Sequence, residues 1–206
     1  MTTTSATASA TASDTASGTA CDSPAADDTR RGLAELIEQI RRCTAAESDP
    51  AATARLVAGV LIALRPTAYL LTATEREGSA DGYVRHTLHT EPTFSISAVV
   101  WRPGQITEIH DHLVWCSFLV LQGVETENIF GFDGVGVGDD RRLVQVGRRR
   151  RPAGSVSGVA PPDDIHQVHN TGDETAITLH VYGADLSQGT SVRRIYRTEG
   201  MPCEGS

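Results

Sequence analysis

The chain has no lysine: all 18 of its basic residues are arginine, set against 26 acidic ones, for a formal net charge of −8. A chain this acidic overall has little with which to neutralise a phosphate backbone, which argues against nucleic acid as a partner. Long apolar runs are missing too. No stretch approaches the roughly eighteen residues a membrane span needs, so no membrane partner is expected. The opening MTTTSATASATASDTASGTA has neither the basic head nor the apolar segment of a secretory leader, and the expected location is cytoplasmic. The four cysteines (Cys21, Cys43, Cys116, Cys203) share no CxxC and no regular spacing, which excludes a zinc ribbon and a disulfide framework. Internal repeats are absent. What remains, 206 residues of which 39% are apolar, suits one globular domain with a real core.

Residues 1–27 are almost entirely Thr, Ala, Ser and Asp, too little apolar surface to offset the entropy of ordering, and the expectation is a disordered tail. A single domain is expected over 28–206. Leu33, Leu36, Ile37 and Ile40 recur at helical spacing and predict a helix over 29–43. Leu56, Val57, Val60, Leu61 and Leu64 do the same over 50–65, after an Asp49 N-cap and a proline at the first helical position. Pro66 stops the second helix. Beyond it, runs rich in Val, Ile, Thr and aromatics predict strands over 69–73, 82–89, 93–101, 116–122, 124–130, 142–146, 155–159, 176–182 and 192–196, parted by Gly, Pro and Asp turns. Many short strands without intervening helices imply a sandwich or a barrel. The segment 131–138 (GFDGVGVG) reads as a hairpin or loop insertion, and the arginine run 148–151 as a solvated loop face.

All seven histidines fall in the β half, five of them (His110, His112, His166, His169 and His180) in two clusters and the downstream position of His180. In His110-Asp111-His112 the two imidazoles are two residues apart, so a strand turns both to one face while Asp111 points the other way. His166 and His169 form the second cluster, and a closed barrel can deliver a third imidazole from it to the same point.

The spacing of Gly104, His110, His112, Cys116 and Gly123 resembles the first cupin motif, with Cys116 where most cupins place a metal-binding Glu. Pro161, Asp163, His166 and Asn170 resemble the second, with Asp163 in place of the usual Gly. With Thr178-x-His180-x-Tyr182 downstream and Tyr83-x-Arg85 upstream, the stretch from about 66 to 197 is similar to the cysteine dioxygenase family, its bacterial cysteine and 3-mercaptopropionate branches included. The resemblance implies a mainly β fold: a cupin-type β-barrel (double-stranded β-helix or jelly roll) behind two short N-terminal helices.

It also implies Fe(II) held by three neutral ligands, His110, His112 and His166, with positions left open for a thiol and dioxygen. Imidazole suits zinc, copper and nickel equally, so the choice of iron comes from the resemblance alone. Asn170 and Gln167 are candidates for supporting the ligands from behind. Thr178, His180 and Tyr182 match a family row in which a hydroxyl orients the imidazole and the imidazole orients the phenol; here Thr replaces Ser. Cys116 occupies the position of the cysteine that in animal members becomes thioether-linked to the equivalent of Tyr182, and a small buried hydrophobe is the other reading. Arg85, with Tyr83, corresponds to the clamp on the substrate carboxylate, for which a guanidinium fork is suited. Arg193 and Arg194 compete for that role. Trp115 is expected to pack near the site and narrow it. His86, His89 and His169 have no role that the resemblance supplies.

The function implied is oxygenation of a small thiol carboxylate, L-cysteine to its sulfinate first, in a protein that is a monomer or small homo-oligomer with a small-molecule thiol and O2 as partners. The alternatives are 3-mercaptopropionate as substrate, a diverted product in specialised metabolism, or a non-enzymatic metal- or ligand-binding cupin sensor. The Tyr182 phenol favours an enzyme, because a binding module has no need of it.

Overall fold

Among the described residues ten strands follow three helices. A computed structural model describes residues 24–133, 142–162, 164–187 and 189–197. The expected tail lies outside these residues except for its last four, which open α1 (Pro24–Ala46), a helix longer at both ends than the apolar spacing predicts. Most of the 131–138 insertion, and Asp163, also lie outside them. In α2 (Pro50–Leu64) the Asp49 carboxylate accepts the Ala52 amide at 2.7 Å, the expected N-cap. Arg65 in the left-handed region closes the helix just ahead of Pro66. Leu36 and Ile40 from α1 and Val57 and Leu61 from α2 are buried at the seam that the two helices make with the barrel.

Where the pattern predicts a strand over 69–73, the chain instead makes one 3-10 turn (Ala68–Leu70) and a short helix, α3 (Ala73–Glu77). The reason is local. Thr72 and Glu75 form a capping box, each side chain bonding the other's backbone amide, and that fixes a helix start across a five-residue run whose periodicity is ambiguous.

The strands are β1 (Val84–Glu91), β2 (Phe94–Trp101), β3 (Ile109–His112), β4 (Cys116–Gln122), β5 (Val124–Asp133), β6 (Arg142–Pro152), β7 (Val156–Val159), β8 (His166–His169), β9 (Ala176–Tyr182) and β10 (Val192–Tyr196). They form two five-stranded antiparallel sheets, ordered β1-β2-β9-β4-β7 and β10-β3-β8-β5-β6. This is the mainly β, double-stranded β-helix of a cupin barrel.

The helices cover the outer face of the first sheet, so its central strands β2, β9 and most of β4 are buried on both sides. On β9, Ile177, Leu179 and Val181 point out into the helix-backed core while Thr178, His180 and Tyr182 point into the barrel, and every one of the seven residues is buried. On β2 the same alternation sends Phe94, Ile96, Ala98 and Val100 outward and Val99 and Trp101 inward. Each large outward side chain contributes about 1.5–3 kcal/mol by leaving water. The α2 backbone lies close enough on β7 that any Cβ at Gly158 would collide with the Ala54 carbonyl, and Ser117 on β4 donates to that carbonyl at 2.7 Å.

The arginine run is part of the sheet rather than a loop. The strand β6 continues through it because β5 pairs with it residue for residue, Asn128 opposite Arg148 through Glu125 opposite Arg151. Arg148, Arg149 and Arg150 are exposed, but Arg151 turns in to Glu127 at 2.7 Å and lies 5.0 Å from the centre of the Phe118 ring.

Candidate metal and thiol site

Alternation on β3 places His110 and His112 on the inner face, and the β3–β8 ladder sets His166 directly opposite His110. The three rings come together with centroids 4.7 to 5.1 Å apart, and their ligand nitrogens lie within 4.8 Å of one another. Burial pulls the His110 imidazole down to about 4, with the neighbouring imidazoles adding to it, so at neutral pH it offers a lone pair rather than a charge.

The second nitrogen of each ring is already engaged. Nδ1 of His110 bonds the Glu108 carbonyl at 2.9 Å, Nδ1 of His112 the Asp164 carboxylate at 2.8 Å, and Nδ1 of His166 the Glu127 carboxylate at 3.0 Å. These acceptors can only take protons, so they hold the protons on Nδ1 and leave the Nε2 lone pairs facing one another. His166 Nε2 is buried with no partner. A buried polar atom without a partner is costly, and a cation bound between the three rings removes that cost. The donor set therefore fits a divalent transition metal.

Two of the three imidazoles are thus backed by carboxylates on their far nitrogens, which leaves the candidate ligand set itself the three neutral rings. Burial opposes the charge on Glu127, but bonds from His166 and Arg151 outweigh it and bring its carboxyl down to about 2. Asn170 and Gln167 do not support the ligands. Asn170 ties the loop after β8 to the Trp101 and Glu174 carbonyls, and Gln167 donates to Thr107 O. Asp164→Ala is expected to weaken metal binding about ten- to a hundredfold while leaving three imidazoles in place. Chelator competition on the purified protein measures this, and an affinity equal to wild type refutes the supporting role.

Asp111 faces outward as expected and is fully buried. It accepts from Arg193, from the Arg194 amide at 2.9 Å and from the Tyr196 hydroxyl at 2.6 Å, binding β10 onto the ligand strand. Arg193 is thereby committed to structure.

On the facing sheet, Thr178 Oγ1 and His180 Nε2 are 2.9 Å apart, and Trp101 Nε1 donates to the same hydroxyl at 3.0 Å. The imidazole and phenol meet differently from expectation. His180 and Tyr182 stack nearly parallel, 8° apart with centroids at 5.7 Å. Burial holds the phenol's pKa well above its ordinary range and brings His180 down to about 3, so both stay neutral near pH 7. Cys116 is directly across the β4–β9 ladder from Tyr182, with Sγ 3.8 Å from His180 Nδ1, and its burial pushes the thiol far up.

The three histidines, Trp101, Cys116, His180 and Tyr182 line one cavity of about 650 Å³. Tyr83 and Arg85 line it as well, both exposed, with the Tyr83 ring 4.5 Å from that of Trp101. Trp115 does not: it packs over Gly183 on the helix side of the first sheet. Sequence reasoning missed Asp164, Glu127, Arg151 and Glu125. The available signal was Glu125-x-Glu127 at strand spacing beside an arginine run, but acids on strands are ordinarily solvent-facing.

A model of the family described as cysteine dioxygenase type I matches residues 28–194. Among solved structures, the chain is similar to an uncharacterized conserved protein with a double-stranded beta-helix domain from Klebsiella pneumoniae subsp. pneumoniae, at 17% identity over 60% of this chain and 96% of that one, with a TM-score of 0.41. It is also similar to a Cupin 2 conserved barrel domain protein from Salinispora arenicola, at 25% identity over 48% of this chain and 74% of that one, with a TM-score of 0.36. Because the family match takes in both ligand strands, the Thr178–Tyr182 row and the cavity mouth, the chain belongs to the cysteine dioxygenase type I family.

Proposed function

We propose that the protein uses Fe(II), held by His110, His112 and His166, to oxygenate a small thiol carboxylate, with L-cysteine as the first candidate. The family points to a thiol dioxygenase, and the observation that carries the reading is the convergence of three buried imidazoles, one nitrogen of each already anchored, with the Tyr182 phenol in a single cavity. A bound ferrous ion supplies a place where thiolate and dioxygen meet, and both oxygen atoms pass to sulfur, which loses four electrons and needs no outside reductant. The chain's own residues then have distinct tasks. The buried walls keep water from the sulfur, Tyr182 stays protonated as a hydrogen-bond donor, and Cys116 stands beside it as the candidate thioether partner. Arg85 takes the carboxylate: no carboxylate among the described residues pairs with it, whereas Arg193 is held by Asp111.

Iron loading under anaerobic conditions, followed by oxygen uptake and product mass spectrometry with cysteine, homocysteine, cysteamine and 3-mercaptopropionate, tests the reading. A sulfinate from cysteine is expected. Preference for 3-mercaptopropionate would move the assignment to the runner-up substrate, and no uptake with any thiol would leave a binding protein.

Arg85→Ala is expected to lower kcat/KM for cysteine roughly ten- to a hundredfold, less than a fully buried pair would lose because Arg85 is open to solvent. Arg85→Lys should recover part of the loss, since a point charge cannot reproduce the fork. Cysteamine, lacking the carboxylate, should turn over poorly and respond little to either change; unchanged cysteine kinetics in Arg85→Ala would place the clamp elsewhere.

A further inference from the structure

The one member of the arginine run that turns inward touches both halves of the site. Arg151 stands directly across the β5–β6 ladder from Glu125, yet its guanidinium crosses the diagonal to Glu127 and gives that carboxylate two bonds, from Nε at 3.2 Å and from Nη2 at 2.7 Å, both to Oε2. Diagonal positions on a ladder are about 7–8 Å apart, a gap that a long side chain spans. The other oxygen, Oε1, is left to His166 Nδ1 at 3.0 Å. A carboxylate gripped by two converging donors on one oxygen has its plane fixed, so the place of Oε1, and with it the direction of the His166 ring, depends on the fork.

The same guanidinium lies over the Phe118 ring of the facing sheet, 5.0 Å from its centre. Phe118 in turn stacks on His180, with centroids 5.7 Å apart and planes at 27°, and His180 stacks on Tyr182. These are the separations of favourable cation–π and ring–ring contacts. A continuous line of contacts therefore runs from His166 through Glu127, Arg151 and Phe118 to His180 and Tyr182. Neither Glu127 nor Arg151 lines the cavity, so whatever they do to a substrate passes through the two imidazoles. Charge alone does not single out Arg151, because Arg149, the residue paired with Glu127 in the ladder, carries the same charge and is exposed.

We propose that Arg151 is a positioning residue for the reaction, setting the direction of the ligand ring His166 through Glu127 on one sheet and of His180 through Phe118 on the other. Its bearing on turnover rests on the thiol dioxygenase reading, but its hold on His166 can be read without turnover.

In the full chain loaded with Co(II), the Nδ1 protons of His110, His112 and His166 are expected to give three exchangeable, paramagnetically shifted proton resonances; the one that Glu127→Gln moves belongs to His166. Arg151→Met should displace that resonance alone, speed its exchange with solvent and weaken Co(II) binding about tenfold. Arg151→Lys, which keeps the charge but not the fork, should recover part of the affinity and leave the resonance displaced, and it decides the matter should Arg151→Met fail to fold. Arg149→Met removes the same charge from the exposed neighbour and should leave all three resonances in place. Three unmoved resonances in folded Arg151→Lys, or an equal response to Arg149→Met, overturns the proposal. With iron and cysteine, Arg151→Lys and Phe118→Leu should each lower kcat about tenfold with KM little changed, and Phe118→Leu should do so without moving the His166 resonance. Wild-type kcat in both variants would overturn the part Arg151 plays in the reaction. An absence of turnover in every protein, wild type included, would instead strike the dioxygenase reading and leave the Co(II) result standing.

Discussion

A His166→Ala protein is expected to purify folded, with iron at background and oxygen uptake with thiols lost by about a thousandfold or more. Two imidazoles from one strand cannot compete with water for a ferrous ion as three can, and the missing one comes from the opposite side of the ladder, so no neighbour on β3 replaces it. The substitution leaves Glu127 without its imidazole, but Arg151 still bonds that carboxylate at 2.7 and 3.2 Å, so no unpaired buried charge is created and the fold should survive. Metal analysis beside a thermal melt separates the two effects. Full iron occupancy with an ordinary melt would falsify the ligand assignment and direct attention to another donor.

Tyr182→Phe should have the complementary phenotype: iron retained, turnover down roughly ten- to a thousandfold, the loss associated with removing one positioned donor next to reacting atoms. Tyr182 sits opposite Cys116 and stacks on His180, and its ring centroid is 6.3 Å from that of His112, near the metal ligands without being one of them. Phenylalanine fills the same space, so packing changes little. Iron content, KM and kcat measured together give the reading. Wild-type kcat in the variant means that the hydroxyl is structural, and loss of iron means that the phenol helps hold the metal strand.

The parts of this site legible in the sequence are those whose information is local. His110 and His112 declare a shared face by being two apart, and Thr178, His180 and Tyr182 do so on a strand whose bounds, 176–182, the alternation gives correctly. The Asp49–Pro50 start of α2 is likewise written in adjacent residues. What escaped depends on pairing across distance. Glu127 meets His166 over 39 positions and Asp164 meets His112 over 52, and nothing in the composition of either neighbourhood says which strands will be adjacent. The strand through Arg148–Arg151 escaped for the same reason: only the partner β5 makes a run of charges into a ladder. The missed α3 is a different case, since Thr72 and Glu75 were three apart in plain view and outweighed a short apolar run.

The doubly covered strand β9 leaves this protein little room for insertions or deletions there. One residue added between Ala176 and Tyr182 would rotate part of the strand by half a repeat, sending Leu179 or Val181 toward the three histidines and a histidine or tyrosine into the packed space under α1 and α2. In most sheets such a slip exchanges core for solvent; here it would exchange core for chemistry, and both would fail together. A lineage carrying this site can change it by substitution along the inner row, and it can lengthen the surface turns freely, but the spacing within these seven residues is as much a part of the active site as the side chains themselves.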